Sequence, residues 1–479
     1  MRIIGNAGKA REVQAVASGV LPNGKPVVVN ADGTVSVISA TGGGAATGTP
    51  VIYEAADTQT IAATFDSNSN KVVIVYMDNG NSSLCTAIVG TVSGTSISFG
   101  TPATFGVVAQ ATSATFDSNS NKVVIVYRDT GNNYGTAVVA TVSGTSISFG
   151  TPSVFESAYT EDPNAAFDSI NNKVIIAYRD SGNSDFGTAV VATVSGTSIS
   201  FGTPVVFETA SSYTAKIAFD TNAQKAVIAY RDGGNSNYGT AIVGTVSGTS
   251  ISFGTPSVFE SVSVDSFSIA YDANAAKVVI AYQRYGSSQY GTATVGTVSG
   301  TGISFGTPVV FESAVTDNMS ISYDSNAEKV IIAYKDNGNS GYGTAIVGTV
   351  SGTSISFGSP IIYEQGAAEL NISVYDSNTN SVVIAYKDNS NSNQGTAVVF
   401  KTASTNLTSD NYIGTAATGA PSGQGARINI KGAVDESQSG LTAGQSYYVQ
   451  ADGTLGTTPA DPSVFAGTAV AATKLIVKG

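Results

Sequence analysis

The chain has 479 residues, 42% of them apolar and only 12% charged, with a net charge of −12 and no histidine. This apolar content excludes a disordered chain. The balance of 22 basic against 34 acidic residues excludes a duplex-binding surface, which needs Lys and Arg to replace phosphate counterions.

Cys85 is the only cysteine, so neither an intrachain disulfide nor a cysteine-ligated metal is expected, and Cys85 reads as a small apolar strand residue. The opening Met1-Arg2-Ile3-Ile4-Gly5-Asn6-Ala7-Gly8-Lys9 lacks the apolar run of a secretory leader. No stretch approaches the ~18 apolar residues of a membrane span. The reading is of a protein folded in a cytoplasm, without membrane insertion. Gly, at 53 copies, joins Ser, Thr and Asn in a mix that suits short strands and tight turns.

Residues 1–47 follow no repeat. From Leu21 to Val35 they read L-x-x-G-x-x-x-x-V-x-A-D-G-T followed by an aliphatic residue. Asp-Gly after an apolar run is a hairpin turn.

From residue 48 to residue 404 one unit recurs. An aromatic residue followed by Asp stands at Phe65-Asp66, Phe116-Asp117, Phe167-Asp168, Phe219-Asp220, Tyr271-Asp272, Tyr323-Asp324 and Tyr375-Asp376, at spacings of 51 or 52. Such a period signals a solenoid, propeller or array. In residues 164–207 the unit reads as four strands. Asn164–Phe167 is the first, ended by a turn whose amides Asp168 is expected to bind. Lys173–Tyr178 is a continuous apolar run, which means burial on both faces. A loop is expected from Arg179 to Gly187, then a strand from Thr188 to Val194. The fourth strand alternates Ile199 and Phe201 with Ser198 and Ser200 and carries Pro204, which belongs on an edge. Four antiparallel strands per unit form a propeller blade. The phrase Ile-Ser-Phe-Gly-(Thr/Ser)-Pro occurs six times for seven units, and a partial copy, Gly48–Glu54, precedes the first. The expected fold is therefore all-β: a seven-bladed β-propeller whose N-terminal strand closes the ring. Closure hides the edges that an open array exposes.

Residues 405–479 again depart from the repeat. Leu441 to Leu455 repeats the pattern of Leu21 to Val35, so the two ends are expected to form one small β module. Gly440–Val449, Ala451–Leu455, Ala466–Ala469 and Lys474–Lys478 resemble the ends of virion structural and tail-fibre-like proteins of tailed, notably marine, bacteriophages. The phrase Gly-Thr-Val-Ser-Gly-Thr-Ser-Ile-Ser-Phe-Gly-Thr-Pro is similar to repeats in such proteins. The resemblance implies a virion location, other virion proteins as partners of the terminal module, a fibre, adhesin or capsid decoration, and a trimer if it is a fibre.

For chemistry, the lack of histidine excludes a Ser-His-Asp triad and a His-ligated metal. No phosphate-binding loop is present, and no cofactor is expected. A glycosidase needs only two carboxylates, so a carbohydrate-active propeller hydrolase stands as the alternative beside a lectin-like or cellular adhesin module. Sialidase-type propellers carry a tryptophan in their turn motif, and this chain has none. The main reading is non-enzymatic.

Three polar sets recur. Lys71, Lys122, Lys173, Lys225, Lys277 and Lys329 open the second strand. Arg128, Arg179, Arg231, Lys335 and Lys387 close it; both sets read as blade-to-blade pairs or solvated turn residues. Glu54, Glu156, Glu208, Glu260, Glu312 and Glu364 recur before the inner strand, with Gly106 the exception. They read as solvated strand ends giving one face a negative field. The segments between blades diverge while the strands are nearly copied, so they are read as loops facing a partner, such as a host surface glycan or receptor. The candidate contacts are Tyr159, Asp162, Tyr213, Asp265, Asp317 and Glu369, because aromatic and carboxylate side chains stack on sugars and bind hydroxyls.

Overall fold

A computed structural model describes residues 2–4, 11–30, 32–38, 40–41, 45–286, 288–402, 404–405, 407, 410–450, 453–459 and 463–478. The chain is all-β, built from repeated antiparallel sheets. It divides into two compact units, Ala46–Thr402 and Met1–Ala45 with Ala403–Gly479.

The larger unit holds seven copies of one arrangement, and the third shows it clearly. Residues 160–168 pair with Lys173–Asp180, which pairs with Phe186–Ser195, which pairs with Ser198–Phe201. The expected loop from Arg179 to Gly187 is shorter in fact. Arg179 pairs with Gly187 and Asp180 with Phe186. Asp180 ends the hairpin by accepting the amide of Asn183 at 3.1 Å and capping a turn of 3-10 helix, Ser181–Asn183. At the hairpin's other end Asp168 accepts the amides of Ile170 (3.0 Å) and Asn171 (2.9 Å), the Asx-type turn expected from its sequence.

The outer strand comes in two pieces. Ser198–Phe201 covers one half of Phe186–Ser195. After the Gly202-Thr203-Pro204 break, Val205, Val206 and Glu208 cover the other half. The same strand, Val205–Asp220, then crosses over and becomes the inner strand of the next copy. Five of the seven segments between copies are therefore single continuous strands, and the other two are interrupted, at residues 105–108 and at Val264.

The seventh copy lacks its own outer strand. Ala46–Thr47 and Val51–Asp66 supply it, pairing Thr47 with Phe400 and Val51 with Ala397. The seventh copy also packs on the first: Val383, Ala385, Ala397 and Val399 share a core with Val72, Ile74 and Ile88. Alternate residues of the second strand face opposite neighbours, with Val72 and Ile74 in that core and Val73 and Val75 in the next one. This explains the continuous apolar run, because both faces of the sheet are covered.

Glycine is required where an aromatic ring lies on the third strand. A Cβ on Gly187 would meet the Phe207 ring at 2.4 Å. Phe207 in turn packs on Tyr230 of the following copy, with ring centroids 5.3 Å apart.

In the smaller unit the two chain ends share sheets. Glu12–Val16 pairs with Gly425–Asn429, and Pro26–Val29 with Tyr412–Ala416. The two related stretches make the same hairpin in two sheets, Pro26–Val29 with Val35–Val37 and Ser446–Val449 with Leu455–Gly456. Gly33 (φ 81°) and Gly453 (φ 76°) take the left-handed position of the turn. Ala31, Ala451 and Asp452 of the shared pattern lie outside the described residues.

Candidate functional site

Every inner strand of the larger unit carries a β-bulge. One left-handed residue per copy marks it: Thr60, Ala111, Asp162, Thr214, Ser266, Asn318 and Leu370. A bulge of this kind bends the strand and re-aims the side chains beside it. The residue just before it is Gln59, Gln110, Glu161, Tyr213, Asp265, Asp317 or Glu369, each paired with the end of a second strand.

Four of the expected contacts, Tyr213, Asp265, Asp317 and Glu369, thus share one structural position. Asp162 sits one residue later, on the bulge itself, and Tyr159 three residues before that. The equivalents Gln59, Gln110 and Glu161 escaped the sequence reading. Counting back from the repeated Asp would have found them, since Gln59 precedes Asp66 by the same interval as Tyr213 precedes Asp220.

The recurring cations meet these residues from the neighbouring second strands. Glu161 bridges Arg128 (3.3 Å) and Arg179. Glu369 bridges Lys335 (2.8 Å) and Lys387 (3.3 Å). Arg231 pairs with Asp265 at 3.5 Å. The Tyr213 ring lies between the guanidinium groups of Arg179 and Arg231, 4.9 and 4.7 Å from their carbons. Asp317 accepts from Asn337 Nδ2 at 2.8 Å. The contacts of Glu161, Glu369, Asp265 and Tyr213 bridge neighbouring copies, one of the two readings of the Arg and Lys set, whereas Asp317 bonds within its own copy. They also mean that Tyr213, Asp265, Asp317 and Glu369 are half-buried and already partnered. Burial works against ionisation of Glu369, but hydrogen bonds from Lys335, Asn389 and Lys387 outweigh it and hold the carboxyl down at about 2.

Tyr159 and Asp162 differ from the rest. Tyr159 is 40% exposed. Its hydroxyl accepts from Arg128 Nη1 at 2.8 Å, and the Arg128 guanidinium also lies over its ring at 4.9 Å. Asp162 lines a pocket of about 550 Å3 with Gln59, Asn79, Gln110, Arg128 and Glu161. Arg128 is aimed there by Glu161 and by Gln110, whose Oε1 accepts from its guanidinium. Thr60 and Ala111 belong both to this pocket and to a central cavity of about 510 Å3 lined by the inner strands of all seven copies.

The repeated glutamates are a correction. They are not solvated strand ends, and their charge is spent internally. Glu156 Oε2 accepts from the Tyr178 hydroxyl at 3.0 Å, and Glu208 Oε2 from Tyr230 at 2.9 Å. In Glu54, Glu208 and Glu312 the second oxygen caps the crossing strand, as where Glu208 Oε1 accepts the Ala210 amide at 3.1 Å. The same tyrosine pairing recurs at Glu54, Glu260, Glu312 and Glu364. Burial and the adjacent carboxylate push these phenols well above their ordinary value. Where Gly106 replaces the glutamate, the buried Tyr127 hydroxyl has no partner among the described residues. Among the described residues no three carboxylates, thiols or imidazoles cluster to hold a metal.

No family model matches the chain, and no curated protein does. Solved structures do. The BP39L lectin from Burkholderia pseudomallei aligns with a TM-score of 0.55 at 10% identity, over 74% of this chain and 99% of its own. A protein of unknown function from Dyadobacter fermentans aligns at 0.46 and 13%, over 75% and 99%. An ulvan lyase, a PL25 polysaccharide lyase, aligns at 0.45 and 11%, over 72% and 94%. At such identities the likeness to the lectin concerns the fold alone, an array of repeated antiparallel sheets.

Proposed function

We propose that residues 46–402 form a seven-bladed β-propeller that binds carbohydrate without catalysis, at the pocket holding Asp162 and Arg128. Three features support the ring: the borrowed outer strand of the seventh copy, its shared core with the first, and the single cavity lined by all inner strands. The carrying observation for binding is the pocket itself. Gln59, Asn79, Gln110, Arg128 and Asp162 gather planar donors and acceptors in one place, which is what recognition of sugar hydroxyls needs. Asp162 accepts no hydrogen bond from the described residues, so its carboxylate is free for a ligand. The exposed Tyr159 ring beside Arg128 adds a stacking surface. The fold likeness to a lectin agrees with this reading.

A glycan array followed by calorimetry tests it. The wild type binds at least one glycan, and Asp162→Ala weakens that binding roughly tenfold or more, the loss of about one charged hydrogen bond. Lack of binding to any glycan, or unchanged affinity in the variant, overturns the assignment. Release of reducing ends or unsaturated sugar from the same glycans favours an enzyme instead.

The virion placement is a separate proposal that rests on the terminal resemblance. In it the smaller unit anchors the chain and the propeller meets the host surface. Mass spectrometry of purified particles that finds the chain supports it, and absence of the chain overturns it.

A further inference from the structure

The inner strands present one residue to the central cavity just beyond each bulge: Ala62, Ser113, Asn164, Lys216, Ser268, Ser320 and Ile372. Of all the side chains lining that cavity, only Lys216 is charged. It is half-buried and lines the cavity. It makes no hydrogen bond or ion pair with the described residues. Asp162 acts on it only at longer range, without forming an ion pair. An enclosed ammonium without a counter-charge is costly.

Hydroxyls elsewhere in the lining of the same cavity add to an environment that favours negative charge. Ser113 Oγ accepts the Ala165 amide at 3.3 Å and Ser268 Oγ the Ile321 amide at 3.3 Å, while Ser320 Oγ accepts the Ser373 amide at 2.8 Å and is already paired with Ser373 Oγ at 3.1 Å. A hydroxyl whose lone pair is taken by an N–H still has its own hydrogen to donate. The cavity therefore holds one cation and several hydroxyl donors and no carboxylate. Its volume of about 510 Å3 far exceeds the roughly 30 Å3 share of one water molecule, so a hydrated ion or a carboxylate group fits.

We propose that the central cavity is an anion site at Lys216, taking a halide or the carboxylate of a small organic acid. Enclosure pushes the Lys216 amine below its ordinary value, against the opposing pull of Asp162. A bound anion restores the charged form. The cavity borders the sugar pocket at Thr60 and Ala111, but Lys216 and Asp162 are different groups, so bromide at Lys216 and glycan loss in Asp162→Ala are read separately.

Crystals of the full chain soaked in sodium bromide test it by anomalous scattering. The expected result is a bromide peak within hydrogen-bond reach of Lys216 Nζ, and its absence in Lys216→Met. Met319 of another copy already lines the same cavity, so a methionine side chain suits this lining. No peak in the wild-type cavity, or the same peak in the variant, overturns the proposal. If the variant does not fold, the wild-type peak decides alone. Adding glucuronate separates the sources: displacement of bromide assigns the site to carboxylates, and retention assigns it to halides.

Discussion

Tyr127 and Tyr178 occupy the same position in successive copies and differ in one partner. Tyr178 donates to Glu156, whereas the buried Tyr127 hydroxyl, in the copy that has Gly106 for the glutamate, has no partner among the described residues. An unsatisfied buried hydroxyl costs folding free energy, while removing one half of a buried pair strands the other half. Tyr178→Phe is therefore expected to lose about 1–3 kcal/mol of stability in urea unfolding. Tyr127→Phe is expected to be neutral or stabilising. Equal losses in the two variants would show that the glutamate contact contributes nothing. Glu369 gives a pH counterpart. Its carboxyl is held down at about 2, below the ordinary 4.5. A depressed carboxylate stabilises the fold above the unfolded value, and that contribution fades as pH falls from about 4.5 towards 2. The Lys335–Glu369–Lys387 bridge is part-exposed, so the effect is modest. Glu369→Gln is expected to flatten this acid limb of the stability profile and leave the slope near neutral pH unchanged. An unaltered acid limb in urea titrations across that range would refute the bridge.

At the scale of one strand, the third strand of each copy is set by the ring that covers it. Gly187 lies under Phe207, with only 2.4 Å for a Cβ. Gly187→Ala must push that ring off Tyr230, and overpacking of this kind costs about 1–3 kcal/mol. Thermal unfolding of the variant checks it, and an unchanged midpoint would mean that the ring moves freely. The first copy has Cys85 where the others have this glycine, and Phe105 there leaves the strand early. The same copy lacks the glutamate, so one irregular crossing accounts for both departures. The crossings also explain why the segments between copies misled as loops. Their composition is turn-like, yet a residue such as Asp162 marks a bulge within a continuous strand, Ser153–Asp168. Sequence drift there reflects bulge geometry and cation pairing as much as partner contact.

For the larger unit as a whole, the proposed closure rests on residues before the first copy. Val51, Ile52 and Glu54 pair with Ala397, Thr396 and Gly395 of the last. Deleting residues 1–54 leaves Gln394–Lys401 with an open edge, and such edges aggregate. The expected outcome is aggregation or loss of a single cooperative melt. A monomer with an unchanged melting curve would refute closure by that strand.

The number of copies, their four strands and the Asp turns were all legible in the amino-acid order. Each rests on local chemistry: hydrophobic period, turn amides and proline placement act within a few residues and so repeat in the sequence itself. The borrowed strand was legible too, because the phrase missing at one end stood at the other. What remained hidden is which polar side chains are free. Glu156 meets Tyr178 across 22 residues, and Glu161 meets Arg128 across 33. Only the stacking of one copy on the next decided that the first glutamate is spent on a buried phenol and the second on two guanidinium groups. That stacking also left Asp162 in a pocket without a hydrogen-bond partner among the described residues and placed Lys216 in the lining of the central cavity. Whether a charge is satisfied or available depends on contacts between neighbouring copies, and no single copy of the repeat records them.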